Sequence, residues 1–307
     1  MYRAVIFFFS GTGSTWWAAD RIRKQLDARG INADIVPMDS VDARKAEWWI
    51  KSADLVLFGW PVYDGDMPAP VKAFVDSLLV VEKGKHIHTF CTIAGFSADG
   101  AVRCRRRFAD KGLIIDSAAH FMLPFRRYSL HPRRRQPGEK ELQRIFAASE
   151  ASVDGYIQAL LEGKARVRGR RLGWLGALQR LPYRLLKKRR QNRIFVDEAR
   201  CTHCGACAEL CPAGNIRFET IPHFQGRCAR CLRCCAFCPA CAIRLGKRSH
   251  GAGRPYVLPD KRLKPTCSSN NHTFIAHRMT RIQSSGCAYI LLCTSAKELL
   301  SCTLRNP

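Results

Sequence analysis

A chain of 307 residues, 47% of them hydrophobic, can bury a real core and is long enough for roughly two domains. Sixteen cysteines would mark a disulfide scaffold in a small secreted chain, but ten fall between Cys201 and Cys241 and no export signal precedes them, which favours metal ligation in a reducing cytoplasm. The net charge of +26 is extreme, and no apolar stretch reaches the roughly 18 to 20 residues of a spanning helix.

The first element is the run Ala4 to Phe9, too short for a signal-peptide core and rich in Phe with Val and Ile, which reads as a buried strand. Ser10 to Thr15 then form a turn, and Ala18, Ala19, Ile22 and Leu26 fall on one face of a helix. A strand, a polar glycine loop and a helix make a phosphate cradle. Gly11 and Gly13 let the backbone approach an anion, the amides of the helix start point at it, and the hydroxyls of Ser10, Thr12, Ser14 and Thr15 can donate to it. The loop lacks the P-loop lysine and the full spacing of a dinucleotide fingerprint, so the implied ligand is a phosphate held by neutral donors.

Further strands are predicted at Ala33 to Val36, Leu55 to Phe58, Thr89 to Ile93 and Leu113 to Ile115, with helices around Asp42 to Lys51, Pro68 to Val80, Val102 to Lys111 and Glu139 to Leu161. Such alternation builds an α/β domain over residues 1–163, a five-stranded parallel doubly wound sheet with right-handed crossovers. Ser10, Thr12, Gly13 and Thr15, together with Gly59 to Pro70 after the third strand, give this domain a resemblance to the flavodoxins. The resemblance implies FMN at the carboxyl edge of the sheet, with Trp60 or Tyr63, beside Pro61, covering one face of the ring. It also implies a third wall from Ala94 to Gly100, in which Ala94, Gly95 and Phe96 would touch the flavin. Ordinary packing is the competing reading of Trp60, Tyr63 and Phe96, and the expected one for Trp16 and Trp17. Ser14 stands where such loops often carry asparagine, and Phe96 where they often carry tyrosine. Asp64, Asp66 and Asp99 would disfavour an anionic reduced flavin and so lower its potential.

Residues 164–193 follow as a linker without one acidic residue, and with Arg103 to Phe108 and Phe125 to Arg135 they carry much of the positive charge. Leu172, Trp174, Leu175, Leu178, Leu181, Leu185 and Leu186, interrupted by basic residues, suit an amphipathic segment on an anionic membrane surface, although Gly173, Gly176 and Pro182 weaken a continuous helix. The same charge would steer an acidic redox partner. Nucleic acid is disfavoured for want of a recognised module. The plainest reading is a solvated linker that packs one apolar face between two domains.

Residues 194–248 contain an internal repeat. A shift of 27 residues superimposes Cys201, Cys204, Cys207, Cys211 and Pro212 on Cys228, Cys231, Cys234, Cys238 and Pro239, and Ile216 and Arg217 on Ile243 and Arg244. Three thiolates spaced three apart can wrap one face of a cuboidal iron–sulfur cluster, while the fourth, held away by its proline, reaches the other cluster. On that spacing Cys201, Cys204, Cys207 and Cys238 would hold one 4Fe-4S cluster, and Cys228, Cys231, Cys234 and Cys211 the other. Zinc also uses paired CxxC but needs only four ligands. The segment resembles the bacterial two-cluster ferredoxins, small α+β domains. Cys235 and Cys241 are surplus and read as packing residues or spare thiols, and His203 as a neighbour of the first site rather than a ligand.

A flavodoxin-like domain followed by a two-cluster ferredoxin domain is similar, over about residues 1 to 248, to the family often called EFR1 ferredoxins. That resemblance implies electron transfer between FMN and two 4Fe-4S clusters, to or from a redox partner. Two other classes compete: an FMN-dependent reductase of a small acceptor such as a quinone or porphyrin precursor, and a redox-responsive binding protein using its basic surface. No grouping of Ser, His and Asp or of Cys and His suggests hydrolysis. Residues 249–307 are expected to form a poorly ordered tail, whose Cys267, Cys287, Cys293 and Cys302 lack cluster spacing.

Overall fold

The computed structural model describes residues 2–80, 84–124, 138–169, 171–185 and 194–245. The expected tail and the basic run Phe125 to Arg135 lie outside the described residues. The chain divides into two units, Met1–Pro265 and Thr266–Pro307, and every described residue belongs to the first.

Apolar strands alternate with amphipathic helices through the N-terminal part: β1 (Arg3–Phe8), α1 (Ser14–Asp27), β2 (Asn32–Pro37), α2 (Ala43–Ser52), β3 (Leu55–Pro61), α3 (Ala69–Ser77), β4 (Lys85–Ile93), α4 (Arg105–Ala109), β5 (Leu113–Met122) and α5 (Glu139–Leu161). The five strands pair in parallel in the order β2-β1-β3-β4-β5, which places the ligand crevice where the order reverses, at the carboxyl ends of β1 and β3. Helices cover both faces, so β3 is buried at all seven positions. On one side Phe58 stacks on Phe7 at 5.0 Å and meets Phe108 edge-on at 4.9 Å. On the other, Trp17, Ile22 and Leu26 of α1 pack with Val153 and Ile157 of α5.

Two strands run further than their apolar patterns suggested. β4 begins at Lys85 rather than Thr89, and β5 continues past Ile115 to Met122. Histidine, aspartate and serine break the pattern there, yet the sheet pairs them across strands: His86 Nδ1 lies 2.7 Å from the Asp116 carboxylate, and His88 Nδ1 lies 2.9 Å from Ser117 Oγ. The start of the linker covers the outer edge of β5. Ala118 donates its amide to Arg166 O, and Arg168 donates to Ala118 O, each at 3.1 Å.

The linker then forms α6 (Gly173–Leu185), continuous through Gly176 and Pro182 despite the expected interruption. Its inward face is polar, with Gly176 and Arg180 buried, while Trp174, Leu178, Leu181 and Leu185 are exposed. The expectation of an apolar face packed between domains is thereby reversed, because the contacts that seat the helix are ionic and hydrogen-bonded.

The cysteine-rich part comprises β6 (Ile194–Val196), α7 (Ala206–Glu209), β7 (Ile216–Phe218), β8 (Pro222–Phe224), α8 (Arg233–Ala236) and β9 (Ile243–Leu245). β6 pairs antiparallel with β9, and β7 with β8. The 27-residue shift relates α7 to α8 and β7 to β9. It also relates left-handed residues: His203 (φ 53), Gly205 (φ 73) and Gly214 (φ 55) recur as Arg230 (φ 57), Leu232 (φ 63) and Cys241 (φ 50). Both surplus cysteines gain a structural place from this. Cys241 occupies the turn that Gly214 forms in the first half, and Cys235 packs in the small core where Ala208 does in the other half.

Burial pushes both His88 and His120 down to about 4, although for His88 the charge of Asp116 works the other way. The unfolded chain therefore takes up protons near pH 6.5 that the folded chain refuses. The contribution is fully present above about pH 6.5 and is lost as pH falls towards 4, at up to about 1.4 kcal/mol per pH unit for each histidine. Urea unfolding at neutral and mildly acidic pH should show this loss, and His120→Gln should remove a comparable share of the slope. An unchanged slope in that variant would contradict the assignment.

Candidate functional site

The loop between β1 and α1 turns on its own hydroxyls. Gly13 donates its amide to Ser10 Oγ at 3.0 Å, and Thr15 Oγ1 lies 2.8 Å from Thr92 Oγ1 at the end of β4. Ser10 and Thr15 thus shape the loop, while the hydroxyls of Thr12 and Ser14 are half-buried at its rim. Gly13 caps α1 with φ 99 and no side-chain bond, so no capping side chain occupies the amides at the head of this 14-residue helix. Those residues fit a phosphate held without a lysine.

The aromatic candidates separate. Trp60 is fully buried, donates Nε1 to Gly100 O at 3.0 Å and stacks on Phe108, so it belongs to the core and has no face to offer a flavin. Pro61 beside it is buried at the end of β3. Tyr63 is half-buried, and its hydroxyl reaches the phosphate loop: a Cβ on Gly11 would lie 2.4 Å from Tyr63 Oη. Ala94, Gly95 and Phe96 are exposed on the loop after β4. The expected field of three carboxylates is offset, because Asp64 pairs with Arg230, Asp66 with Lys72 and Asp99 with Arg180. Each acid has a cation beside it, and the reason to expect a lowered flavin potential goes with that pairing.

Two cavities in the cysteine-rich part are lined by thiols. One is lined by Cys211, Cys228, Cys231 and Cys234. The other is lined by Cys201, Cys204, Cys207 and Cys238. Each gathers three thiols of one run with the last of the other. The amides of Asn215 and Ala242, equivalent under the repeat, donate to Cys211 Sγ and Cys238 Sγ at 3.2 Å, and that of Arg230 donates to Cys228 Sγ at 3.2 Å. Such bonds favour the thiolate and tune a cluster held there. Burial pushes the Cys207 and Cys231 thiols up to about 12, so these groups ionise only when a cation replaces their protons. Among the described residues no three of His, Cys, Asp and Glu converge tightly enough for a single ion. A cuboidal cluster asks instead for sulfurs spread around it.

The two cavities are not equivalent in their surroundings. Arg233, between Cys231 and Cys234, donates Nη2 to Ser10 O at 2.8 Å, pairs with Asp39 after β2 and lies 5.4 Å over the Phe9 ring. Arg230 pairs with Asp64 at 3.1 Å. A Cβ on Gly11 would lie 2.2 Å from the carbonyl oxygen of Cys231, so the second cysteine loop is seated on the phosphate loop. In the first run His203, the counterpart of Arg230, is exposed, as is its neighbour Thr202. Neither arginine was singled out from the sequence. The available signal was that Arg230 and Arg233 depart from the repeat, standing where His203 and Ala206 stand in the first half.

Known families match both parts. A flavodoxin domain matches residues 5–110, and a 4Fe-4S binding domain matches residues 194–217, which contain the first cysteine run. The chain is a fusion of a flavodoxin domain and a 4Fe-4S ferredoxin domain. The two matches support a flavin and iron–sulfur electron-transfer protein. No curated protein matches it. Among solved structures, the Streptococcus pneumoniae TIGR4 flavodoxin is 22% identical, covering 48% of this chain and 97% of its own, with a TM-score of 0.33. Megasphaera elsdenii flavodoxin is 20% identical over 48% and 98%, with a TM-score of 0.34. The Flv1 flavodiiron core from Synechocystis sp. PCC6803 is 17% identical over 52% of this chain, with a TM-score of 0.37, and this chain spans only 36% of that protein. At these values the likenesses add nothing to the fold already described.

Removing Arg233 should loosen the seat of the second cysteine loop. Arg233→Ala deletes a charge-assisted pair between partly buried groups and is expected to cost about 2 kcal/mol. Hydrogen exchange at the amides of Gly11 to Thr15 should accelerate about tenfold or more. Unchanged exchange there would show that Arg233 does not hold the junction.

Proposed function

We propose that this protein carries electrons between FMN and two 4Fe-4S clusters in a fixed order. The flavin comes first, the cluster of Cys211, Cys228, Cys231 and Cys234 second, the cluster of Cys201, Cys204, Cys207 and Cys238 third, and a separate redox partner last. The observation that carries this reading is the contact of the Cys231 carbonyl with Gly11, which sets one thiol-lined cavity against the phosphate loop. FMN exchanges two electrons and each cluster one, so the pair divides a two-electron exchange into single steps.

The residues do the holding. In this reading Gly11, Gly13 and the first amides of α1 take the phosphate, and Tyr63 and Phe96 flank the ring. Arg233 and Arg230 fix the spacing across the junction by charge-assisted bonds. Ile194 and Ile216 line the proximal cavity and Ala242 and Ile243 the distal one, keeping water from the sulfurs. The exposed Thr202 and His203 leave the distal loop open to a partner, and the positive charge of the chain favours an acidic one.

Anaerobically purified protein should contain about eight irons and one FMN per chain. Cys207→Ser, at the distal site, should leave electron exchange between flavin and the remaining cluster intact while slowing reduction of an external acceptor about tenfold or more. Cys231→Ser, at the proximal site, should stop both. Equal effects of the two substitutions would sink the order.

A further inference from the structure

Trp174, Leu178, Leu181 and Leu185 recur at spacings of four, three and four, and so form one stripe along α6, a helix about 20 Å long. They are 70%, 60%, 51% and 78% exposed. The opposite face is fixed by polar contacts. Arg180 grips Asp99 through both carboxylate oxygens, at 2.6 and 3.2 Å, and donates to Gly65 O at 3.3 Å, while Gln179 donates to Phe96 O at 3.1 Å. Gly176 lies flat against the same site, where a Cβ would come within 2.2 Å of Asp99 Oδ1. Rolling the helix to hide its leucines would strand a buried carboxylate, so the apolar stripe is held outward.

Charge selects what covers that stripe. Residues 164–193 contain twelve Lys and Arg and no acid. Lys164, Arg166, Arg168 and Arg171 are exposed before the helix, and Lys187 to Arg190 follow it in sequence. An exposed row of Trp and Leu within so basic a stretch of sequence suits the boundary of an anionic bilayer, where apolar side chains enter the acyl region and cations meet phosphate. No helix among the described residues is long and apolar enough to cross a membrane, so the contact is with its surface.

We infer that α6 docks this protein on anionic lipid, with Trp174, Leu178, Leu181 and Leu185 entering the acyl boundary and the flanking cations meeting the headgroups. The contact uses none of the residues that hold flavin or cluster, so it stands apart from the redox reading.

Full-length protein with its cofactors is to be sedimented with vesicles of phosphatidylcholine, alone or mixed with phosphatidylglycerol. Binding should be about tenfold or more stronger on the anionic vesicles and should weaken as salt is raised. Leu178→Glu with Leu181→Glu should weaken it about tenfold or more, with the visible absorption unchanged as proof of folding. Trp174→Phe should retain binding while removing a lipid-induced blue shift of the fluorescence. Equal binding to both vesicles, or binding that survives the two glutamates, would overturn the inference. So would an absence of binding, whether because the chain's own tail covers the stripe or because polyglutamate, standing in for an acidic protein, is bound instead.

Discussion

The approach of the Cys231 carbonyl leaves no room for a side chain at Gly11 of the phosphate loop, and the rest of the arrangement depends on that contact. Glycine at this point serves two neighbours at once: it lets the backbone curl around an anion, and it lets a second domain come down onto the curl. Arg233 fixes the second role. Its guanidinium is nearly buried, and burial alone would penalise its charge, but Asp39, the Ser10 carbonyl and the Phe9 ring face it. A buried cation that needs all these partners tolerates one docking geometry and few others. Arg230 with Asp64, and Arg180 with Asp99, repeat the device at two more points around the same crevice.

This use of charge explains why so basic a chain carries so few acids where they matter. Asp64, Asp66 and Asp99 are consumed in fastening cysteine loop, local turn and linker helix to the flavodoxin loops. They hold elements in place rather than project a field. The internal repeat shows the complementary economy. Two halves of one pattern keep the same left-handed turns and share one pair of amide-to-sulfur bonds, yet one half faces solvent with Thr202 and His203 while the other meets the flavodoxin domain with Arg230 and Arg233. Sequence divergence inside a repeat thus marks where the symmetry of the environment is broken.

The legible features were those with strong periodicity or exact spacing. Continuous apolar runs gave β1 and β3, the glycine loop gave the head of α1, and the 27-residue shift paired the cysteines that line each cavity. The ends of β4 and β5 were hidden because His86, His88, Asp116 and Ser117 satisfy one another only across strands, which no local pattern reveals. Trp60 read as a ring contact because its neighbours in sequence form a loop, whereas its own side chain turns into the core towards Gly100 and Phe108. In a chain with 51 Lys and Arg, the arginines that matter, Arg180, Arg230 and Arg233, looked like solvated charge. Only the fold shows that each meets a carboxylate from a distant part of the chain.

The central claim is spatial, and an anomalous diffraction map at the iron edge from anaerobically grown crystals of the holoprotein tests it most directly. Two iron peaks are expected, with the one ringed by Cys211, Cys228, Cys231 and Cys234 lying nearer the Ser10–Thr15 loop and its bound flavin. A single peak, or a nearer peak ringed by Cys201, Cys204, Cys207 and Cys238, would contradict the account.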